Sequence, residues 1–145
     1  MRERIARHRA ERPAAWIAIE EPVDLEAAIG AVGSGEPLIV DCLTLWVSNL
    51  MERERGDDAL LARADELAAL VRERAISLVL VSNEVGEGVH PSTAVGLRFR
   101  DLLGAVNQRV AAAADRVTLM VAGIPVAVKH APPAPALHDH APEAP

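Results

Sequence analysis

Residues 76–83, "ISLVLVSN", put five apolar side chains into six positions before the chain turns polar at Ser82 and Asn83. A strand with one wet face alternates apolar and polar residues. This run does not, so it predicts a strand covered on both faces, the habit of parallel sheets flanked by helices. "LIV" at 38–40 stops at Asp41 in the same way, and "VTLMVAG" (117–123) reads as a further buried strand. Shorter strands are expected at 16–22 ("WIAIEEP") and 125–129 ("PVAVK").

Helical segments separate these runs. Residues 2–12 read as a strongly basic helix stopped by Pro13, and 23–33 as a helix ended by Gly33-Ser34-Gly35. Another helix starts near 43 and dissolves in the polar run 52–58. Across 59–74, Leu60, Ala64, Leu67, Leu70 and Val71 recur at helical spacing. Across 93–115, Leu97, Leu102, Leu103, Val106, Val110 and Ala114 form a core stripe, leaving Arg98, Arg100, Asp101, Asn107 and Gln108 off it. Helices alternating with apolar strands define an α/β fold with a largely parallel sheet and flanking helices.

At 145 residues the chain makes one domain, able to bury roughly two thirds of its unfolded surface. We place that domain at 1–129 and read the Pro/Ala-rich segment 130–145, with its histidines, as a disordered tail. A net charge of -6 argues against nucleic-acid or membrane-surface binding. The single cysteine, Cys42, fits a reducing compartment and reads as a small buried filler. No apolar run approaches the ~20 residues that span a bilayer, so no membrane insertion and a cytoplasmic location are expected.

Candidate site residues cluster at strand ends. Asp41 emerges from the carboxyl end of one strand, with Thr44 three residues on, where open α/β sheets bind ligands and where a carboxylate could hold Mg²⁺. Position alone favours the other reading, a cap for the helix that follows. Asn83 and Glu84 leave a second strand end towards the same edge, followed by Gly86 and Gly88, which suit either a close ligand or a turn. Near the start, Arg4, His8 and Arg12 share one helical face, with Arg7 and Arg9 beside them. Neighbouring cations keep an imidazole neutral and nucleophilic and can hold phosphate oxygens; a solvated basic helix with an incidental histidine is the alternative. His90, ahead of Pro91, reads as a surface residue.

The segments "RIARHRAERP", "IVDCLTLWVSNL", "VLVSNEVGEGVHP" and "RFRDLLGAVNQRVAAAADRVTLMVAGIPVAVK" occur in one order and spacing. In that arrangement the chain resembles the bifunctional adenosylcobinamide kinase / adenosylcobinamide-phosphate guanylyltransferases over about residues 1–129. The resemblance implies a RecA-like P-loop nucleotide-binding fold, a trimer, GTP and ATP as substrates with Mg²⁺, and adenosylcobinamide and its phosphate as acceptors. It implies a guanylylated histidine at His8, nucleotide contacts from Arg9, Ala10, Glu11, Arg12 and Glu20, and Asp41 on the metal side. Arg4, Thr44, Asn83 and Glu84 are candidate supports.

Three departures stand out. Leu97 replaces the first of two arginines usual before "FRD", leaving Arg98, and His90 stands where an apolar residue is usual. The third is an absent phosphate loop. No G-x-x-x-x-G-K-[ST] occurs, and of the 15 Lys and Arg only Lys129 is a lysine. The first strand and P-loop of the family fold are therefore expected to be missing from these residues. Either translation starts further upstream, as the match of Met1 to an internal family methionine favours, or the chain is a fragment. A catalytically inactive α/β fragment serving as a corrinoid-binding or subunit-interaction module is the alternative function.

Overall fold

The computed structural model describes residues 13, 15–33, 35–54, 56–73 and 77–130. The basic segment 2–12 and the tail from 131 onward lie outside them.

Among the described residues, four helices and four strands follow in the order α1 (Leu25–Ala31), β1 (Leu38–Asp41), α2 (Leu43–Arg53), α3 (Asp57–Glu73), β2 (Leu78–Val81), α4 (Ala94–Ala113), β3 (Val117–Val121) and β4 (Ile124–Lys129). The periodic stripes fold inward over most of their length, although Leu97 and Ala114 stay out of the core and Phe99 packs against it instead. Leu60, Ala64 and Leu67 of α3 meet Leu103, Val106 and Val110 of α4 in one core with Leu43, Val47 and Leu50 of α2 and Ile29 of α1. Asp57 and Asp58 belong to the first turn of α3, where carboxylates complement the helix dipole, rather than to a polar linker.

Two polar anchors fix the entry to this core. The Trp46 indole is buried and donates to the Val23 carbonyl at 2.8 Å. Arg63 donates to the same carbonyl at 3.2 Å and to both Glu26 oxygens at 3.1 and 2.7 Å. Asp24, Glu54 and Glu66 complete its ring of carboxylates. The Glu26 hydrogen bonds, followed by the charges of Glu26, Asp24 and Glu66, raise the Arg63 pKa still further above its already high value.

β1 and β2 pair in parallel, Leu38 opposite Leu78 through Asp41 opposite Val81. The sheet is smaller and less covered than its apolar sequence predicts. Leu38, Val40, Leu78 and Leu80 turn towards the helices, whereas Ile39, Val79 and Val81 are 46%, 53% and 39% exposed. The helices pack against one face, so the expected two-sided cover is present on one side only among the described residues.

β3 and β4 correct the expectation further. They form an antiparallel hairpin in a sheet of their own, mostly exposed, instead of extending the parallel sheet. Two residues link them, Ala122 and Gly123, both at positive φ (50° and 80°), the conformation of tight hairpin turns. A link this short can only reverse the chain, because parallel neighbours need a crossover of a dozen or more residues. The segment 16–22 is not a strand either. It has no ladder partner among the described residues, and Trp16, Ile17 and Ile19 are exposed. Its end is shaped instead by Glu21, whose carboxylate accepts the N–H groups of Val23 and Asp24, each at 2.8 Å.

Candidate functional site at the strand ends

The pairing of Asp41 with Val81 brings the carboxyl ends of β1 and β2 to one edge, so the residues just after each strand are neighbours. Thr44, in the first turn of α2, reaches across that edge. Its Oγ1 accepts from the Asn83 backbone N–H at 3.2 Å and from Asn83 Nδ2 at 2.9 Å. Behind the loop, Asn107 of α4 donates from Nδ2 to the Asn83 carbonyl at 3.1 Å and accepts from Ser82 Oγ at 2.6 Å. Four polar side chains from three elements thus form one continuous chain of hydrogen bonds.

Asp41 stands beside this network with an exposed carboxylate. It does not cap the following helix. The N-cap of α2 is Cys42, a half-buried residue rather than a buried one, and its side chain makes no capping hydrogen bond. Among the described residues the Asp41 carboxylate has no hydrogen-bond or ion-pair partner. It borders an open cleft of about 540 Å³, also lined by Glu20, Leu25, Trp46 and Asn49. A neighbouring hollow of about 490 Å³ shares Asp41 and runs beneath Trp16 and Ile17. Glu20 and Asp41, expected on separate grounds, therefore line the same cleft.

Other candidates are committed to their own loop. Glu84 Oε1 accepts the Gly86 N–H at 2.9 Å, and the Gly88 N–H reaches the Val85 carbonyl at 3.4 Å. Gly86 and Gly88 thus serve a turn. His90 is exposed, and its Nδ1 lies 2.8 Å from Arg100 Nη1, while Arg100 also donates twice to Asp101. The loop closes on α4 through Thr93, whose Oγ1 caps Gly96 N–H at 3.1 Å. A Cβ on Gly96 would fall 2.8 Å from the Pro91 Cβ, so this turn needs the bare backbone.

Arg4, His8, Arg9, Ala10, Glu11 and Arg12 lie outside the described residues. Lys129, the only lysine, donates from Nζ to the carbonyls of Ala111 and Ala112, capping the C-terminal end of α4. The functional candidate that sequence reasoning underrated is Asn107. It follows Val106 of the core stripe, and its boundary position was the available signal. Ser82, the first polar residue after β2, was the matching one.

Helices packed on a parallel strand pair, with polar groups gathered beyond its carboxyl edge, define an α/β protein whose candidate ligand site lies at that edge. Residues 1–128 match the family described as "Cobinamide kinase / cobinamide phosphate guanyltransferase". The chain belongs to that family of enzymes.

Among curated relatives, it is 41% identical over 139 residues to the bifunctional adenosylcobalamin biosynthesis protein CobP of Pseudomonas aeruginosa, covering 91% of this chain and 76% of that one. It is 38% identical over 142 residues to the bifunctional adenosylcobalamin biosynthesis protein CobU of Salmonella typhimurium. It is 36% identical over 142 residues to the protein of that name from Escherichia coli K12. Both of these alignments cover 89% of this chain and 78% of the relative. No helix among the described residues is long and apolar enough to cross a membrane.

Proposed function

We propose that this protein phosphorylates adenosylcobinamide and then transfers GMP from GTP to adenosylcobinamide phosphate, in adenosylcobalamin biosynthesis. The observation that carries the reading is the family match over residues 1–128, which spans both His8 and the strand-end groups.

In the guanylyl step, neutral His8 attacks the α-phosphorus of GTP. A P–N bond forms as the α–β P–O bond breaks, and pyrophosphate leaves. A phosphate oxygen of adenosylcobinamide phosphate then attacks the same phosphorus, the P–N bond breaks, and the imidazole is restored. Arg4, Arg9 and Arg12 offset the charge that develops on the phosphates. Ala10, Glu11 and Glu20 line the nucleotide, and Thr44 and Asn83 support its phosphate side; Glu84 contributes by shaping its loop.

Asp41 fits a Mg²⁺ role. It offers an exposed carboxylate with no partner among the described residues, and Mg²⁺ needs only one or two carboxylates because water and phosphate oxygens fill its remaining positions. Mg²⁺ held there would neutralise phosphate charge. A triphosphate also needs a cradle that Lys129 does not supply, since its amine is bonded to the end of α4. ATP serves as a further nucleotide, the architecture is a RecA-like P-loop nucleotide-binding fold without its first strand and P-loop in these residues, and the assembly is a homotrimer.

The test is covalent labelling of the full-length protein with GTP carrying a labelled α-phosphate. Acid-labile label on the wild type and none on His8→Ala is expected. Label that survives in His8→Ala overturns the assignment.

A further inference from the structure

We propose that Asn107 is a positioning residue of this site, fixing through Ser82 and Asn83 the direction in which the Thr44 hydroxyl donates its proton. The inference rests on the nucleotide-site reading above and adds to it a residue from a different helix.

The argument is one of hydrogen-bond capacity. A hydroxyl oxygen accepts about two hydrogen bonds and donates one. Both acceptor positions of Thr44 Oγ1 are taken by Asn83, through its backbone N–H and its Nδ2. What remains is the O–H, and no described residue accepts it. Thr44 is therefore an oriented donor at the carboxyl edge of the strand pair, beside Asp41, where an oxygen of a bound phosphate would be the natural acceptor.

That orientation depends on Asn83 delivering two donors to one oxygen, which requires the 82–83 backbone to be held. Asn107 holds it from the far side. Its Oδ1 accepts from the Ser82 hydroxyl at 2.6 Å and its Nδ2 donates to the Asn83 carbonyl at 3.1 Å. Both ends of the amide are used, so neither rotation of Asn107 nor its replacement by an apolar residue preserves the pair. Were Asn83 released to turn its Oδ1 towards Thr44, the hydroxyl would donate inward and be lost to the ligand.

The experiment compares Asn107→Leu, Asn107→Asp, Ser82→Ala and Thr44→Val in the full-length protein. The readouts are titration with a fluorescent GTP analogue, KM and kcat, and the melting temperature. Asn107→Leu and Thr44→Val are each expected to weaken analogue binding about tenfold, as loss of a well-made polar contact does, and to raise KM more than they lower kcat.

Asn107→Asp supplies the signature that a purely structural role would not produce. It keeps the acceptor for Ser82 but turns a carboxylate on the Asn83 carbonyl. Its defect relative to wild type at the same pH should shrink as pH falls and the introduced carboxyl regains a proton to donate, whereas that of Asn107→Leu should not. If Asn107→Leu fails to fold, Asn107→Asp and Ser82→Ala carry the test.

Impaired binding in Thr44→Val with wild-type binding in Asn107→Asp and Ser82→Ala overturns the role of Asn107 while leaving the nucleotide site in place. Wild-type binding in all of them overturns both.

Discussion

Asn83 and Thr44, 39 residues apart in sequence, are joined twice, through the backbone N–H and the side-chain amide of Asn83 to one hydroxyl oxygen. This pair of hydrogen bonds ties the loop after β2 to the first turn of α2. It leaves the exposed carboxylate of Asp41 on the same rim.

Replacing Thr44 by Ser keeps the oxygen and should leave nucleotide affinity within about twofold of wild type, whereas Thr44→Val removes both acceptor and donor and should weaken it about tenfold. Equilibrium titration with GTP separates the two. Equal affinities for Ser and Val would show that the hydroxyl does not reach the ligand.

Arg63 is the main polar tie between α3 and the segment ahead of α1. Arg63→Met retains much of the packing but leaves Glu26, which is largely covered, without its partner, and should cost about 2 kcal/mol. Urea denaturation should show a lower midpoint with an unchanged slope. An unchanged midpoint would mean that the carboxylate ring contributes no net stability.

Two glycines of α4 should respond in opposite directions. Gly96→Ala forces a methyl against Pro91 and should destabilise the 90–96 turn, lowering the melting temperature. Gly104 has open space at its Cβ position, so Gly104→Ala should stabilise by about 0.5–1 kcal/mol through helix propensity. Thermal melts of the two variants side by side check both signs.

Glu21 is held below its ordinary value of 4.5, first by the hydrogen bond from Val23 N–H, then by that from Asp24 N–H and by Arg53. A carboxylate with a depressed folded pKa contributes stability that is complete above the unfolded value and disappears as pH falls through the folded one. The Glu21→Gln variant should therefore lose less stability than wild type on acidification from about pH 5, the upper edge of that window. An NMR titration of Glu21 ending at or above 4.5 would contradict the assignment.

The sequence made Asp41, Thr44 and Asn83 legible because a buried strand that stops at a polar residue announces its own end. Glu20 joined them only through resemblance, and the cleft it shares with Asp41 gives that pairing a location. The hairpin was misread although its cause was in plain view. Ala122-Gly123 is too short for a crossover, but two unalternating apolar runs argued more loudly for a parallel sheet.

Asn107 was obscured for a different reason. Helical periodicity sorts residues into core-facing and water-facing, and a side chain turned to the edge of a sheet belongs to neither. Likewise, the apolar character of β2 states a demand for cover on both faces without stating that these residues meet it. Val79 and Val81 show where it goes unmet among the described residues.

The cap at Lys129 gives the chain an unusual chemical address. As the only side-chain amine, it is where amine-reactive dyes, acylating agents and crosslinkers are directed, and it is also the joint between β4 and the end of α4. Acylation there would remove the charge and leave a single amide N–H for the two carbonyls of Ala111 and Ala112. Any bead, surface or fluorophore coupled through that amine would unfasten the hairpin it was meant to report on, whereas a cysteine-directed label at Cys42 would leave that joint intact.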